Sequence, residues 1–347
     1  MQKTPLSKTL VPLFVAALLL ALPAAAQANI AFTRASSSGA NSTVYTATDS
    51  GKAIHKIGAG RNPYISPDGA TVAYFHEGPG HQGELKVVPV DGSGGQTLMS
   101  GWQEPFEFAW SPDSEFILAL RGPELGQRKL VLITVATGAQ KVLVTGFFYG
   151  FSWSGEGHEI FYAKANSEKY PPRSDIYEIS PAGGEPVALT SDHRSLDPLW
   201  GPAGKIAFVK LLDADKRKYG PKNEIYVMHP SGKRVERLTH TNVDPLLQGL
   251  FPTAWSGNGK KLLAEFEGQD TSYAVGVNAL TGTQKPIGPA GETGFVGTAL
   301  SNDGATVLGF EGGFDPGNRH TVVTRPFGGA GKAKVLVKNA SEPDWSL

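Results

Sequence analysis

The sequence contains no cysteine, only three methionines and no excess of either charge. The absence of cysteine excludes a disulfide framework, a thiolate metal site and a lipid anchor attached through cysteine. Lysine plus arginine and aspartate plus glutamate number 32 each among 347 residues, so no overall field attracts nucleic acid or an anionic membrane. We therefore expect a protein that does not bind nucleic acid.

Long apolar runs are also missing, except at the N-terminus. There, Lys3 and Lys8 precede the run "LVPLFVAALLLALP", and Ala26 and Ala28 stand in an A-x-A arrangement before Asn29. This order of features is typical of a secretory signal peptide cleaved after Ala28. The run is shorter than the roughly 20 apolar residues of a spanning helix. We expect residues 1–28 to be removed and the product, without a transmembrane segment, to be periplasmic or secreted.

What the sequence does have is a repeat. A turn serine recurs at intervals of 43 to 55 residues, with glycine in its place once, and tryptophan precedes it in five of the seven copies. We call these residues the turn positions: Ser66, Ser111, Ser154, Gly201, Ser256, Ser301 and Ser346. Six of the turns are followed by short apolar strings such as "TVAYF" or "FILAL", which are typical of buried strands.

Each period holds four such strands, and four strands in about 45 residues indicate a β-propeller blade. The segment "EPDWSL" at the C-terminus supplies one first strand, while "NIAFT", "TVYTAT" and "AIHKIG" after residue 28 supply the other three. Pairing of the two ends would close the ring and remove exposed edges. The prediction is an all-β, seven-bladed propeller over residues 29–347, with six blades as the alternative.

The strings "DIYEISPAGGEPVALT" (175–190) and "EIYVMHPSGKRVERLT" (224–239), together with "WSPDS" and "SPDG", resemble the WD-repeat-like propeller of the TolB family. The resemblance extends over residues 29–347. It implies a propeller fold of the kind that docks proteins in the cell envelope. TolB carries an N-terminal α/β domain before a six-bladed propeller, whereas here the predicted strands begin at the predicted cleavage site and number seven blades.

The loops of the predicted blades divide into two faces. Loops between the first and second strands and between the third and fourth are short, and we call their side the short-turn face. The other loops are long and varied and form the long-loop face, where we predict partner binding because scaffolds carry recognition on variable loops. The candidate residues form a basic, tyrosine-bearing patch for an acidic partner: Lys169, Tyr170, Arg173, Asp213, Asp215, Lys216, Arg217, Lys218 and Tyr219. The alternative is a solvated loop tip.

Metal and cofactor signals are weak. Asp213, Asp215 and Glu224 match part of an EF-hand register, but Arg217 stands at a ligand position and Lys218 where the turn needs glycine. The eight histidines are scattered. We predict neither a metal ion nor another cofactor.

The sequence also gives little indication of nucleophilic catalysis, since the chain has no G-x-S-x-G elbow and no cysteine nucleophile. The first strand of each blade lies closest to the central channel, and we call it the innermost strand. Four residues in loops that lead into innermost strands could reach the mouth of the channel: Glu104, His193, Arg194 and Asp244. Hydrogen bonding that fixes loop geometry is the other interpretation. We therefore predict a monomeric, exported docking module for a protein or envelope component, with a secreted lyase or hydrolase as the alternative and a sugar-binding role as a third.

Overall fold

A computed structural model describes residues 29–35, 42–77, 83–102, 107–123, 126–202, 204–212, 221–241, 249–268, 271–289, 294–312 and 319–346. Regular structure in these ranges consists of β-strands without helices, which confirms the all-β prediction. Accordingly, none of the described residues forms a helix of the length and apolarity needed to cross a bilayer.

The strands are short and follow one another through tight turns or loops. In chain order the first fourteen are β1 (Asn29–Ala35), β2 (Ser42–Thr48), β3 (His55–Ala59), β4 (Arg61–Ile65), β5 (Thr71–Glu77), β6 (Gly83–Pro89), β7 (Gln96–Trp102), β8 (Phe108–Trp110), β9 (Phe116–Arg121), β10 (Arg128–Thr134), β11 (Gln140–Trp153), β12 (Ile160–Ala165), β13 (Ser174–Ile179) and β14 (Val187–Ala188). The others are β15 (Ser195–Gly201), β16 (Lys205–Leu212), β17 (Lys222–Met228), β18 (Glu236–Arg237), β19 (Gly249–Trp255), β20 (Lys261–Glu267), β21 (Ser272–Asn278), β22 (Gln284–Pro286), β23 (Phe295–Leu300), β24 (Thr306–Glu311), β25 (Thr321–Pro326), β26 (Lys334–Lys338) and β27 (Ser341–Trp345).

Antiparallel pairing arranges these strands in groups of four. Three sheets have the orders β27-β1-β2-β3, β4-β5-β6-β7 and β23-β24-β25-β26. In a fourth sheet the long strand β11 pairs with β10 through its first half and with β12 through its second, so β8 to β14 form two groups. The groups β15 to β18 and β19 to β22 touch through one parallel pair, Asn223 with Gly249.

The second strand of each group is buried on both faces. In β5, for example, Val72, Ala73, Tyr74 and Phe75 are each at most 3% exposed. A sheet that is solvated on one face would show alternation, so this run means that other groups cover both of its faces. One cluster joins Ala73 of β5 to Ile117 of β9 across two groups. Each fully buried aliphatic or aromatic side chain contributes on the order of 2 kcal/mol.

The tryptophans before the turn positions tie neighbouring groups together. Three indole Nε1 atoms donate to backbone oxygens of the preceding innermost strand: Trp110 to Tyr64 at 3.0 Å, Trp153 to Ala109 at 3.4 Å, and Trp255 to Leu199 at 3.4 Å. The ring of Trp255 also explains why glycine replaces serine at position 201. A β-carbon there would lie 2.6 Å from that ring.

The turn serines are hydrogen-bond centres of the first turn in each group. Ser66, Ser111, Ser154 and Ser256 are each at most 1% exposed. In each case Oγ accepts the backbone N–H five residues later, at 2.9 to 3.0 Å. The Oγ of Ser111 also donates to Oδ1 of Asp113 at 2.5 Å. A hydroxyl that replaces missing backbone pairing in a tight turn accounts for the repeated serine.

Replacing Ser111 with alanine should therefore lower the free energy of unfolding by about 1 to 2 kcal/mol, because the N–H of Phe116 loses its buried acceptor. Urea unfolding followed by tryptophan fluorescence measures the change. Ser93→Ala is the matched control, since Ser93 bonds Asp91 with the same spacing but is exposed. Equal losses in the two variants would contradict this role for the turn serine.

Candidate functional site

In six of the seven groups the innermost strand has a register shift, a β-bulge, shortly before the turn position, whereas β8 pairs with β9 without a shift over its described residues. Register shifts occur between Arg61 and Tyr64, between Leu196 and Leu199, and between Phe148 and Phe151. We call the residues four before the turn positions the bulge positions: Asn62, Glu107, Gly150, Asp197, Pro252, Gly297 and Glu342. A bulge re-aims the side chain that it carries, so this position determines what faces the centre of the molecule.

Three polar residues at bulge positions have left-handed backbone conformations. The φ angles of Asn62, Asp197 and Glu342 are 52°, 49° and 51°. Each of the three precedes a proline. For a residue other than glycine this conformation costs about 1 to 3 kcal/mol and is found where the surrounding structure, often a functional site, requires it.

Two of these residues border a cavity of about 250 Å³ between the innermost strands. Its walls come from several strand groups: Asn62, Pro63 and Tyr64 of β4, Thr253 of β19, Glu265 of β20, Val296, Gly297 and Thr298 of β23, Phe310 of β24, and Glu342, Pro343 and Asp344 of β27. Beside this cavity, two carboxylates of β27 accept hydrogen bonds from backbone N–H groups of β4. The N–H of Asn62 donates to Oε2 of Glu342 at 2.9 Å, and the N–H of Ile65 to Oδ2 of Asp344 at 2.8 Å.

Burial changes the protonation of this region. Burial, followed by the negative charges of Glu107 and Glu267, raises the pKa of Asp197 to about 8. Burial also raises the pKa of Asp344 to about 7, against the lowering effect of the N–H groups of Ile65 and Trp345. Both residues are half-buried, and Asp344 lines the cavity described above.

Charges from different strand groups act on one another here. The pKa of Tyr64 is raised to about 12, first by burial and then by Asp344, Glu342 and Glu107. Glu107 therefore acts on both Tyr64 and Asp197, which belong to different strand groups. We define the axial acidic cluster as Glu107, Asp197, Glu267, Glu342 and Asp344. Four of its members belong to innermost strands or directly precede them, and Glu267 is the last residue of β20.

Four of the five members of the cluster lie toward the long-loop face, whereas Asp344, the next-to-last residue of β27, lies near the turn end of its strand. Glu267 is the last residue of β20 and pairs with Gly249, the first residue of β19. The long loops follow the second strand of each group and precede the innermost strand of the next group. The C-terminal end of a second strand and the N-terminal end of an innermost strand therefore lie on the long-loop face. Asp197 and Glu107 lie early in or just before their innermost strands, so they belong to the same end.

The members of the cluster differ in how their charge is balanced. Nη1 of Arg128 contacts Oε1 of Glu107 at 2.8 Å. The carboxylate of Asp197, in contrast, has no hydrogen bond or ion pair with the described residues. Space for it comes from Gly150, where a β-carbon would lie 2.5 Å from Oδ1 of Asp197. With its pKa raised to about 8, this carboxyl group holds its proton at neutral pH, and a ligand that carries positive charge would favour its ionised form.

Two of the four channel-mouth candidates of the sequence analysis, His193 and Arg194, lie in the loop before β15. His193 donates its backbone N–H to Oδ1 of Asp175 at 2.9 Å, and its Nδ1 lies 2.6 Å from Oδ2 of that buried residue. The backbone N–H of Arg194 donates to Asp192 at 3.1 Å. These bonds fix the loop before β15. Glu104 and Asp244 lie outside the described residues.

The partner-binding candidates are described in part. Lys169, Tyr170 and Arg173 are exposed in the loop between β12 and β13, on the long-loop face, and the side chain of Tyr170 is 67% exposed. Glu168 of this loop accepts the N–H of Gly126 at 2.6 Å, which joins it to the preceding group. The other candidates lie outside the described residues: Asp213, Asp215, Lys216, Arg217, Lys218 and Tyr219.

The axial acidic cluster was missed at the level of sequence. Its signal is the spacing of four residues between a carboxylate and a turn position, which Glu107, Asp197 and Glu342 share. In the described ranges, no three His, Asp or Glu side chains are placed to hold a metal ion.

No protein-family model and no curated protein matches this chain. Solved structures do. TolB from Acinetobacter baumannii is 15% identical with a TM-score of 0.55, covering 92% of this chain and 83% of that one. The fold is a TolB-like β-propeller. The β-propeller domain of the Trilobed protease from Pyrococcus furiosus is 16% identical with a TM-score of 0.64, covering 90% of this chain and 92% of that one. Oligogalacturonate lyase from Vibrio parahaemolyticus is 15% identical with a TM-score of 0.60, covering 89% of this chain and 84% of that one. At these identities the likeness shows the fold alone.

The raised pKa of Asp197 predicts a pH-dependent stability. Between its ordinary value of 3.8 and about 8 the folded protein holds a proton that the unfolded chain releases, so Asp197 lowers stability as pH rises through this window. Asp197→Asn should match wild type near pH 4 and be more stable above pH 8, by about 2 kcal/mol. Urea unfolding at pH 4, 6 and 9 measures the difference.

Asp49→Asn, which makes the same change at an exposed aspartate in a turn, is the control for the substitution itself. A difference between wild type and Asp197→Asn that does not grow with pH would show that the carboxylate is solvated.

Proposed function

We propose that the four-stranded groups are seven blades of a closed ring. The grouping of strands supports this count, and the hydrogen bonding of β27 to β1 supports closure. The described residues form seven apolar clusters, and one of them joins Ile30 and Phe32 of β1 to Leu308 of β24 and Val322 of β25. That cluster lies between the first and last groups in the sequence, where closure requires contact.

We further propose that residues 1–28 are an export signal and that residues 29–347 act as one monomeric domain in the periplasm or outside the cell. The order of charged, apolar and small residues before Asn29 supports export.

Within this setting the protein is a docking module that receives a partner protein on its long-loop face. The observation that carries the proposal is the axial acidic cluster, in which carboxylates from separate strand groups act on the same side chains: Glu107 and Glu267 raise the pKa of Asp197, and Asp344, Glu342 and Glu107 raise that of Tyr64. A lysine, arginine or terminal amine of the partner would compensate this charge. On the same face, the exposed Tyr170 is the kind of aromatic side chain that is enriched at interface hot spots.

Lys169 and Arg173 are exposed in a loop of the long-loop face, so this face carries positive charge as well as the acidic cluster. A partner would therefore need a basic group for the centre and acidic groups for the loop between β12 and β13. Complementary charges of this kind select partners and speed encounter. The basic patch of Asp213, Asp215, Lys216, Arg217, Lys218 and Tyr219 in the next long loop remains a prediction.

The docking proposal is tested by photo-crosslinking in the cell of origin. A benzophenone amino acid in place of Tyr170 should capture a specific protein. The triple variant Glu107→Gln, Asp197→Asn and Glu342→Gln, carrying the same crosslinker, should lose at least about tenfold of that product, because the partner's cation then meets no negative charge. Mass spectrometry identifies and quantifies the crosslinked protein.

The matched control removes three exposed carboxylates from the short-turn face by Glu115→Gln, Glu156→Gln and Glu185→Gln, and should crosslink as wild type does. Undiminished crosslinking in the triple variant would remove the acidic cluster from the interface. If no protein is captured at all, the docking function itself fails.

A secreted enzyme is the second candidate, since a carboxyl group protonated near neutral pH can act as a general acid. Asp197 and Asp344, with pKa values raised to about 8 and 7, have this property. Similar folds include oligogalacturonate lyases and peptidases. Glu104, His193, Arg194 and Asp244 remain candidate residues for such an activity. Turnover of oligogalacturonate that is lost in both Asp197→Asn and Asp344→Asn would favour the enzyme over the docking module.

A further inference from the structure

A second cavity, of about 530 Å³, lies far from the axial acidic cluster. It opens on the short-turn face, between the outer strands of the group β15 to β18 and those of β19 to β22. The turn from His229 to Lys233 forms one side, and the turn from Ala279 to Thr283 forms the other. We call this cavity the basic groove. Its size is within the range of about 300 to 1,000 Å³ that is usual for ligand sites.

Positive side chains surround the basic groove. Lys205, Arg234 and Arg237 line it together with His229 and His240, and the acidic residue among the lining side chains is Glu236. Arg237 is already paired, since its Nη2 donates to Oε1 of the buried Glu224 at 2.9 Å. The side chains of Lys205 and Arg234 make no hydrogen bond or ion pair with any residue in the described ranges. Two cations are therefore available to an incoming anion.

The floor of the groove is aliphatic. Met228 and Leu238 are 2% and 8% exposed, whereas Leu280 at the rim is 67% exposed. Among the described residues that line the groove there is no Phe, Tyr or Trp, so the flat aromatic surface on which a sugar ring could stack is missing. A large exposed aliphatic side chain beside uncompensated cations fits a partner that is both acidic and aliphatic.

We propose that the basic groove binds an acidic peptide segment. Carboxylates of the segment pair with Lys205 and Arg234, and an aliphatic side chain packs between Leu280 and Leu238. Charge complementarity favours a peptide of this composition over a basic one. The aliphatic floor favours it over inorganic phosphate or an acidic sugar. The site is separate from the axial acidic cluster and does not depend on the docking function proposed above.

The test is affinity selection of a random twelve-residue peptide display library on the full mature protein. Wild type should enrich peptides that combine Asp or Glu with Leu, Ile or Val. The double variant Lys205→Glu and Arg234→Glu should bind the enriched peptides at least about tenfold more weakly, and Leu280→Ser should weaken them severalfold. Fluorescence anisotropy with synthetic labelled copies of the enriched peptides gives the affinities.

The matched control is Lys332→Glu with Lys334→Glu, which makes the same change of charge at exposed lysines near another short turn. It should bind the peptides as wild type does, and melting curves verify that every variant is folded. Three results overturn the proposal: enrichment without an acidic bias, equal binding by the groove and control variants, or displacement of the peptides by millimolar phosphate or oligogalacturonate. Displacement would assign the groove to a simple anion or an acidic sugar.

Discussion

Burial of both faces of each small sheet is the constraint on which the rest of this structure depends. Four short strands cannot enclose a core of their own, so each group buries its second strand against two neighbours, as the run from Val72 to Phe75 illustrates. The indole of Trp110, bonded to the backbone of Tyr64, holds adjacent groups in register. Such stacking brings the innermost strands together, and whatever the bulge positions carry must then share a narrow space.

That convergence has an electrostatic cost. Asp197 and Asp344 come from different strand groups. Burial, joined at Asp197 by the charges of Glu107 and Glu267, raises their pKa values to about 8 and about 7 because nearby protein replaces water. A core that evolved for stability alone would place apolar or glycine residues there, as at Gly150 and Gly297. In the docking function proposed above, a cationic group of the partner would offset this electrostatic cost. Likewise, the balanced count of 32 acidic and 32 basic residues conceals opposite charges at two sites, the axial acidic cluster and the basic groove.

The fold could be read from the sequence because its signals are local and repeated. The turn serine fixes a hydrogen-bonded turn wherever it occurs, so the period, the four strands and the all-β class follow from short strings. Gly201 breaks the pattern for a reason that only packing reveals, the indole of Trp255. The axial acidic cluster was harder to predict, because Glu107, Asp197 and Glu342 are distant in sequence and the direction of each side chain depends on the pairing register of its strand. Candidates chosen from loops, such as His193, proved to have local partners in Asp175.

The most direct measurement of this account is a carbon-13 NMR titration of the aspartate side-chain carboxyl carbons in the folded protein. Two resonances, assigned through Asp197→Asn and Asp344→Asn, should titrate near pH 8 and pH 7, well above the ordinary value of 3.8. Addition of a lysine-containing partner segment should lower both midpoints. If every aspartate titrates below pH 5, the carboxylates are solvated separately, and the convergence of charge at the innermost strands does not exist.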